Sequence, residues 1–183
     1  LSKFADFSGV SKANVDKLTY RIYQDPAAAY ADAVAGSLDY IDDTNIPGDQ
    51  LLGDAYKNDF PDRTSQRESL VMGWITFSPN DPQLKDNVDL RKAISRAIDR
   101  DLIVKQIFSG TRIPATGWVS PAVDGFKAGA CGDSCTFDAA AAKTAFEAAG
   151  GYKGTLTMTY NADAPNKAWS EAACNSIKNT LGI

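Results

Sequence analysis

Apolar side chains recur along this chain at two different periods, and the switches between them divide it into elements. Leu18-Thr19-Tyr20-Arg21-Ile22-Tyr23 alternates and is rich in β-formers, which predicts a strand. Asp25-Pro26 then has the form of an N-cap followed by proline at the first helical position. The helix it opens should carry Tyr30, Ala31 and Val34 inward and stop at Gly36. Leu38 to Ile41 reads as a second short strand, and Pro47 opens another helix that includes Leu51, Leu52 and Tyr56.

Residues 63–78 read as extended, with Leu70, Met72, Trp74 and Ile75 carrying the apolar weight until Pro79-Asn80-Asp81-Pro82 breaks the run. From Leu90 the period changes: Leu90, Ala93, Ile94, Ala97 and Ile98 follow helical spacing. Asp99 can cap the next helix, with Ile103, Ile107 and Phe108 inside and Gly110 at its end. Residues 111–137 form a long loop containing Pro114 and Pro121, and loops of this length are usually functional or pinned down. Asp138 caps an alanine-rich helix that ends at Gly150-Gly151. A strand from Thr155 to Tyr160 follows, and then a last helix from about Asp163, with Trp169, Ala173, Ile177 and Leu181 on its core face. Strands and helices intermix, so the expected class is α/β.

Composition narrows the function classes. The 183 residues suit one domain with a core of its own, and 44% hydrophobic with 23% charged residues is an ordinary globular balance. A net charge of −4 with scattered Lys and Arg argues against a nucleic-acid partner. The chain has no histidine, which removes Ser-His-Asp and Cys-His nucleophile arrangements and nearly every catalytic zinc site. A hydrolase acting through a carboxylate pair is the surviving enzyme reading, but no Gly-x-Ser-x-Gly elbow is present. Asp99, Arg100 and Asp101 look like an acid–base cluster, yet a cap and a first helical turn account for them. No catalytic residue is assigned. The opening Leu1-Ser2-Lys3 reads as the start of a piece of something longer.

Five segments, in order, resemble bacterial extracellular solute-binding proteins of family 5, the oligopeptide- and dipeptide-binding receptors of ABC importers. They are Ala33 to Asp39, Asp86 to Arg100, Ile113-Pro114-Ala115-Thr116-Gly117-Trp118-Val119-Ser120-Pro121, Phe137 to Tyr152 and Thr180-Leu181-Gly182-Ile183. The resemblance implies that residues 1–183 are one α/β lobe, the second, of a two-lobe receptor of the type II periplasmic-binding-protein-like fold. It implies hinge closure on a peptide or other small solute, delivery to membrane permease subunits, and an N-terminal lobe elsewhere in the same chain. It implies an extracellular or periplasmic place, lipid-anchored in the full-length protein, and no cofactor. Oligosaccharides, metal chelates and opines are alternative solutes, and a regulator's sensor domain is an alternative use of the fold.

The same resemblance selects the candidate ligand contacts Trp118, Asp163, Trp74 and Asn161. Trp118 and Trp74 fall in segments that line the cleft in relatives, where an aromatic side chain supplies apolar area. In oligopeptide-binding relatives an aspartate four residues after the tyrosine matched by Tyr160 pairs with the ligand's amino terminus. Here that position is Ala164, and Asp163 stands one residue earlier, as ligand contact or helix cap. In an oxidising exported setting, Cys131 and Cys135 are expected to form a disulfide; three cysteines without histidine make a poor zinc set, so no metal is assigned. Cys174, in register with Ile177 and Leu181, reads as a buried thiol.

Overall fold

A computed structural model describes residues 1–42, 45–51, 54–161 and 164–183. In chain order its helices are α1 (Pro26–Val34), α2 (Gly48–Leu51), α3 (Ala55–Asp59), α4 (Val88–Arg96), α5 (Arg100–Phe108), a 3₁₀ turn (Gly132–Cys135), α6 (Ala139–Ala148) and α7 (Ala164–Leu181). Local capping chemistry sets most of the starts. Asp25 accepts from Ala27 N at 2.9 Å, Asn87 from Leu90 N at 3.0 Å, Asp99 from Leu102 N at 2.9 Å and Asp138 from Ala141 N at 2.9 Å. The end of α6 closes by two bonds, Gly151 N to Phe146 O and Gly150 N to Glu147 O. That pattern requires a left-handed residue, and Gly150 supplies it with φ +91°.

The main core lies where α4, α6 and α7 meet. Leu90, Ala93, Ile94, Ala97, Ile98, Ala142, Phe146, Ala173, Ile177 and Leu181 are buried there together with Leu84. Leu90 and Ile94 are completely enclosed, each contributing about 1.5–3 kcal/mol of apolar burial. α5 runs beside α7 and buries no residue completely. A second cluster joins Tyr30 and Ala33 of α1 to Tyr56 and Phe60, with Leu38, Ile41, Ile46 and Leu51 packed on it. Tyr30 donates to Asp59 Oδ2 at 2.5 Å, and burial followed by that carboxylate pushes its phenol well above the ordinary range.

The expected strands are not formed. Among the described residues the only bridge is an isolated antiparallel one between Ser2 and Lys17, so the expectation of strands at 18–23, 38–41 and 155–160 is corrected. The side-chain period survives without the ladder: Leu156 and Met158 turn to the core while Thr155, Thr157 and Thr159 face solvent, and Ile75 and Phe77 turn inward between exposed Trp74 and Thr76. An extended backbone sets that period by itself, whereas a strand needs a neighbour aligned for hydrogen bonding. Within residues 18–23, Tyr20 and Ile22 remain 74% and 89% exposed.

Three helical expectations also change. α1 buries Ala29, Tyr30 and Ala33, while Ala31 and Val34 face solvent, because Tyr30 docks toward Asp59 and Phe60 and sets the rotation. The helix expected from Pro47 divides into α2 and α3; Leu52 lies outside the described residues. On α7 Ser170 is enclosed along with Ala173, Ile177 and Leu181, and Trp169 is half-buried, its Nε1 donating to Asn166 Oδ1 at 2.9 Å at the helix edge.

Candidate functional site

The loop from 111 to 137 contains no α-helix or strand, yet its backbone is tied at several points. Val123 N bonds Ser120 O at 3.0 Å and Phe126 N bonds Val123 O at 3.1 Å, so the middle of the loop closes in successive turns. Cys131 N donates to Thr116 O at 3.0 Å, which brings the two ends of the excursion over residues 117–130 together. Cys131 and Cys135 are joined by a disulfide whose Cα atoms are 5.8 Å apart, and the 3₁₀ turn lies inside it.

That turn rests on α4. Ser95 Oγ donates to Ser134 O at 2.6 Å, and Arg96 lies 3.9 Å from Asp133 and 3.7 Å from Asp138. Ser95 Oγ also accepts from Arg100 Nη2 at 2.8 Å, and Arg100 Nη1 bonds Ser95 O at 2.9 Å. The guanidinium therefore serves the carbonyl end of α4, where a cation complements the helix dipole. Burial lowers the Arg100 pKa. With Asp99 occupied as a cap, Asp99 and Arg100 both serve the α4–α5 corner, and Asp101 lies exposed in the first turn of α5.

A second tie joins the loop to the extended segment before α4. Ser120 is buried and donates its hydroxyl to Ser69 O. Trp118 stands two residues from that bond and is 77% exposed; Trp74 stands five residues beyond Ser69 and is 63% exposed. The Trp74 indole points away from the core because Ile75 and Phe77 on the alternate side take the inward positions. No ring contact joins the two tryptophans among the described residues. Asn161 is exposed and follows a segment held to the main core through Leu156 and Met158. Asp163 lies outside the described residues.

The structure thus ties the segments of Trp74 and Trp118 together through Ser69 and Ser120, and it holds the segments of Trp74 and Asn161 to the same main core. Two hollows occur in other places. One, of about 560 Å³, lies between residues 82–89 and Gly151; the other, of about 540 Å³, lies between α4, α6 and the 3₁₀ turn. Neither is lined by Trp74, Trp118 or Asn161, and charged side chains such as Asp86, Asp89 and Lys92 rim them. Among the described residues no group of three His, Cys, Asp or Glu side chains is placed to hold a metal ion.

Sequence reasoning missed the serine ties. Ser120 carried a usable signal: a hydroxyl directly before Pro121 in a turn-rich loop, where its Oγ also accepts from Ala122 N at 3.3 Å. Ser95, between Ile94 and Arg96 on a helix, carried none. Cys174 is a free, half-buried thiol 4.0 Å from Met158 Sδ, and burial, with Glu171 nearby, raises its pKa.

The family model described as bacterial extracellular solute-binding proteins, family 5 Middle, matches residues 1–183. The chain is 30% identical over 112 residues to proteins of Brucella ovis and Brucella melitensis named as ABC transporter peptide-binding proteins, covering 60% of this chain and 20% of each relative. It is 29% identical over 118 residues to the oligopeptide-binding protein OppA of Bacillus subtilis, covering 60% of this chain and 22% of that protein. The chain spans about a fifth of the length of the curated relatives it matches.

Proposed function

The chain belongs to the bacterial extracellular solute-binding proteins of family 5, and from that membership we propose that it is part of the substrate-binding receptor of an ABC importer that captures peptides. The single observation that carries the reading is the match over all 183 residues; an interlobe cleft that closes by a hinge is the mode of action we infer for it. The chain performs no chemistry in this reading. It supplies one wall of a cleft, and a second lobe of the same protein supplies the other.

Trp118 is the side chain we assign to that wall. A large aromatic side chain exposed on a loop tied at Thr116 and Ser120 offers apolar area without first having to be ordered. Trp74 is assigned beside it because Ser69 and Ser120 link their segments, while Asn161 and Asp163 remain candidates from family likeness alone. The lobe is read as α/β, supported by the two-residue alternation at 74–77 and 155–159. The receptor works outside the cytoplasmic membrane, held there by a lipid anchor, and hands its solute to permease subunits. No helix among the described residues is long and apolar enough to cross a membrane.

One observation favours a second reading of the solute. Ala164 stands where the family likeness implies an aspartate for a peptide's amino terminus, which leaves oligosaccharides, metal chelates or opines as the cargo. Native mass spectrometry of the whole protein with mixed tripeptides and with maltooligosaccharides separates the readings. Retention of peptides supports the first. Retention of sugars alone, with no peptide bound, would sink it.

A further inference from the structure

The main core does not include the two cysteines of the disulfide. Its place in the loop gives it a different use. Cys131 is fixed on one side by the crosslink to Cys135 and on the other by its N–H, which holds Thr116 O at 3.0 Å. Thr116 is two residues from Trp118. Between them, Gly117 packs so closely on the returning strand of the loop that an added Cβ would meet Ala130 Cβ at 3.2 Å and Lys127 O at 3.7 Å. The 3₁₀ turn inside the crosslink is in turn hooked to α4 through Ser95 and Ser134.

We propose that the Cys131–Cys135 crosslink positions Trp118 for ligand: it rigidifies the turn docked on α4, and that turn, through Cys131 and Thr116, presents the exposed indole to an apolar face of the captured solute. The path is continuous: α4, Ser95, Ser134, the crosslinked turn, Cys131, Thr116, Trp118. Without the crosslink the turn has few apolar contacts to hold it, since none of its residues is buried. An indole on such a loop would have to be ordered at the moment of binding, which lowers affinity. Cys131 and Cys135 are positioning residues in this account and touch no solute themselves. The inference rests on the assignment of Trp118 as a ligand contact, and its test is read apart from that assignment.

The test uses the whole protein labelled with 5-fluorotryptophan. Resonances are assigned through Trp118→Phe and Trp169→Phe. In the Cys131→Ser/Cys135→Ser variant the Trp118 resonance should shift and sharpen, while that of Trp169 on α7 stays in place. An unmoved Trp118 resonance overturns the proposal. Were both resonances to move, the whole lobe would have been disturbed, and Ser95→Ala then decides, because it removes the Ser95–Ser134 bond between the turn and α4 with the crosslink intact. Displacement of the Trp118 resonance alone supports the proposal, and no displacement overturns it. Trialanine titrated into the same samples reads the other question. About tenfold weaker binding is expected in both the cysteine variant and Trp118→Ala. If Trp118→Ala binds trialanine unchanged, the assignment of Trp118 as a contact fails, while the fluorine spectra still decide the positioning.

Discussion

Tyr152 reaches back across 71 positions to donate its phenol to Asp81 Oδ2 at 2.7 Å, while Asp81 Oδ1 accepts from Gln83 N and Leu84 N. Beside this pair, Gln83 exchanges two hydrogen bonds with Lys153, Nε2 to O at 2.9 Å and Oε1 from N at 2.8 Å. A side-chain amide here satisfies a peptide group as a neighbouring strand would. The segment leaving α6 is thereby stitched to the one entering α4.

Acid should undo the first stitch. The Tyr152 hydrogen bond, with the backbone bonds from Gln83 and Leu84, holds the Asp81 carboxyl below the usual carboxylate range, against a smaller opposing effect of desolvation. A carboxylate whose folded pKa is depressed stabilises the fold above its unfolded value and loses that contribution as pH falls through the folded one. Tyr152→Phe should therefore melt below the native protein at neutral pH, and the gap in Tm should close as pH drops below about 4. A gap independent of pH would assign the effect to packing.

Asp99 should matter through geometry and not through its charge. Asp99→Ala removes the acceptor for Leu102 N and should cost about 1 kcal/mol in urea unfolding, whereas Asp99→Asn should stay within a few tenths of the native value. Trialanine binding should be the same in all three proteins.

Ser170 on α7 is completely enclosed, and its hydroxyl has no hydrogen-bond partner among the described residues. Ser170→Ala removes a desolvated polar group and raises helix propensity, so stability should rise by about 1 kcal/mol. The check is a higher urea midpoint with an unchanged m-value.

Ser120→Ala should free the 111–123 segment. It deletes the bond to Ser69 O and the acceptor for Ala122 N, for a loss of about 1 kcal/mol. Amide exchange should accelerate in that segment and stay slow in α4. Equal acceleration in both would place Ser120 in the general stability of the fold and not in the loop.

What could be read from the chain itself was local. Asp25, Asp99 and Asp138 each cap an amide two or three residues ahead, so the information lies inside one turn of sequence. The α4 face from Leu90 to Ile98 was equally plain, since its period is strict and its positions are all buried. α1 has a weaker stripe, alanine on every side, and a distant partner chose its rotation: Tyr30 meets Asp59 29 positions away. The same limit hid the site's anchors. Trp118 was legible as a large apolar residue in a turn-rich loop, but Ser69 lies 51 positions from Ser120 and Ser95 lies 39 from Ser134. Strand period was legible at 155–160 where strand pairing was not, because a ladder depends on a neighbour that periodicity does not specify.

The α4–α5 corner is held by a third helix. Ser176 Oγ on α7 donates to Ala97 O at 2.8 Å and accepts from Asp99 N at 2.9 Å, occupying the two backbone groups on either side of the bend. Those bonds span 79 and 77 positions. During synthesis the chain emerges in order, so α4 and α5 are made well before the hydroxyl that fixes the angle between them. Until α7 arrives, only Arg100 and the Asp99 cap brace the corner between α4 and α5, and a helix made much later in the chain supplies the bonds that complete it.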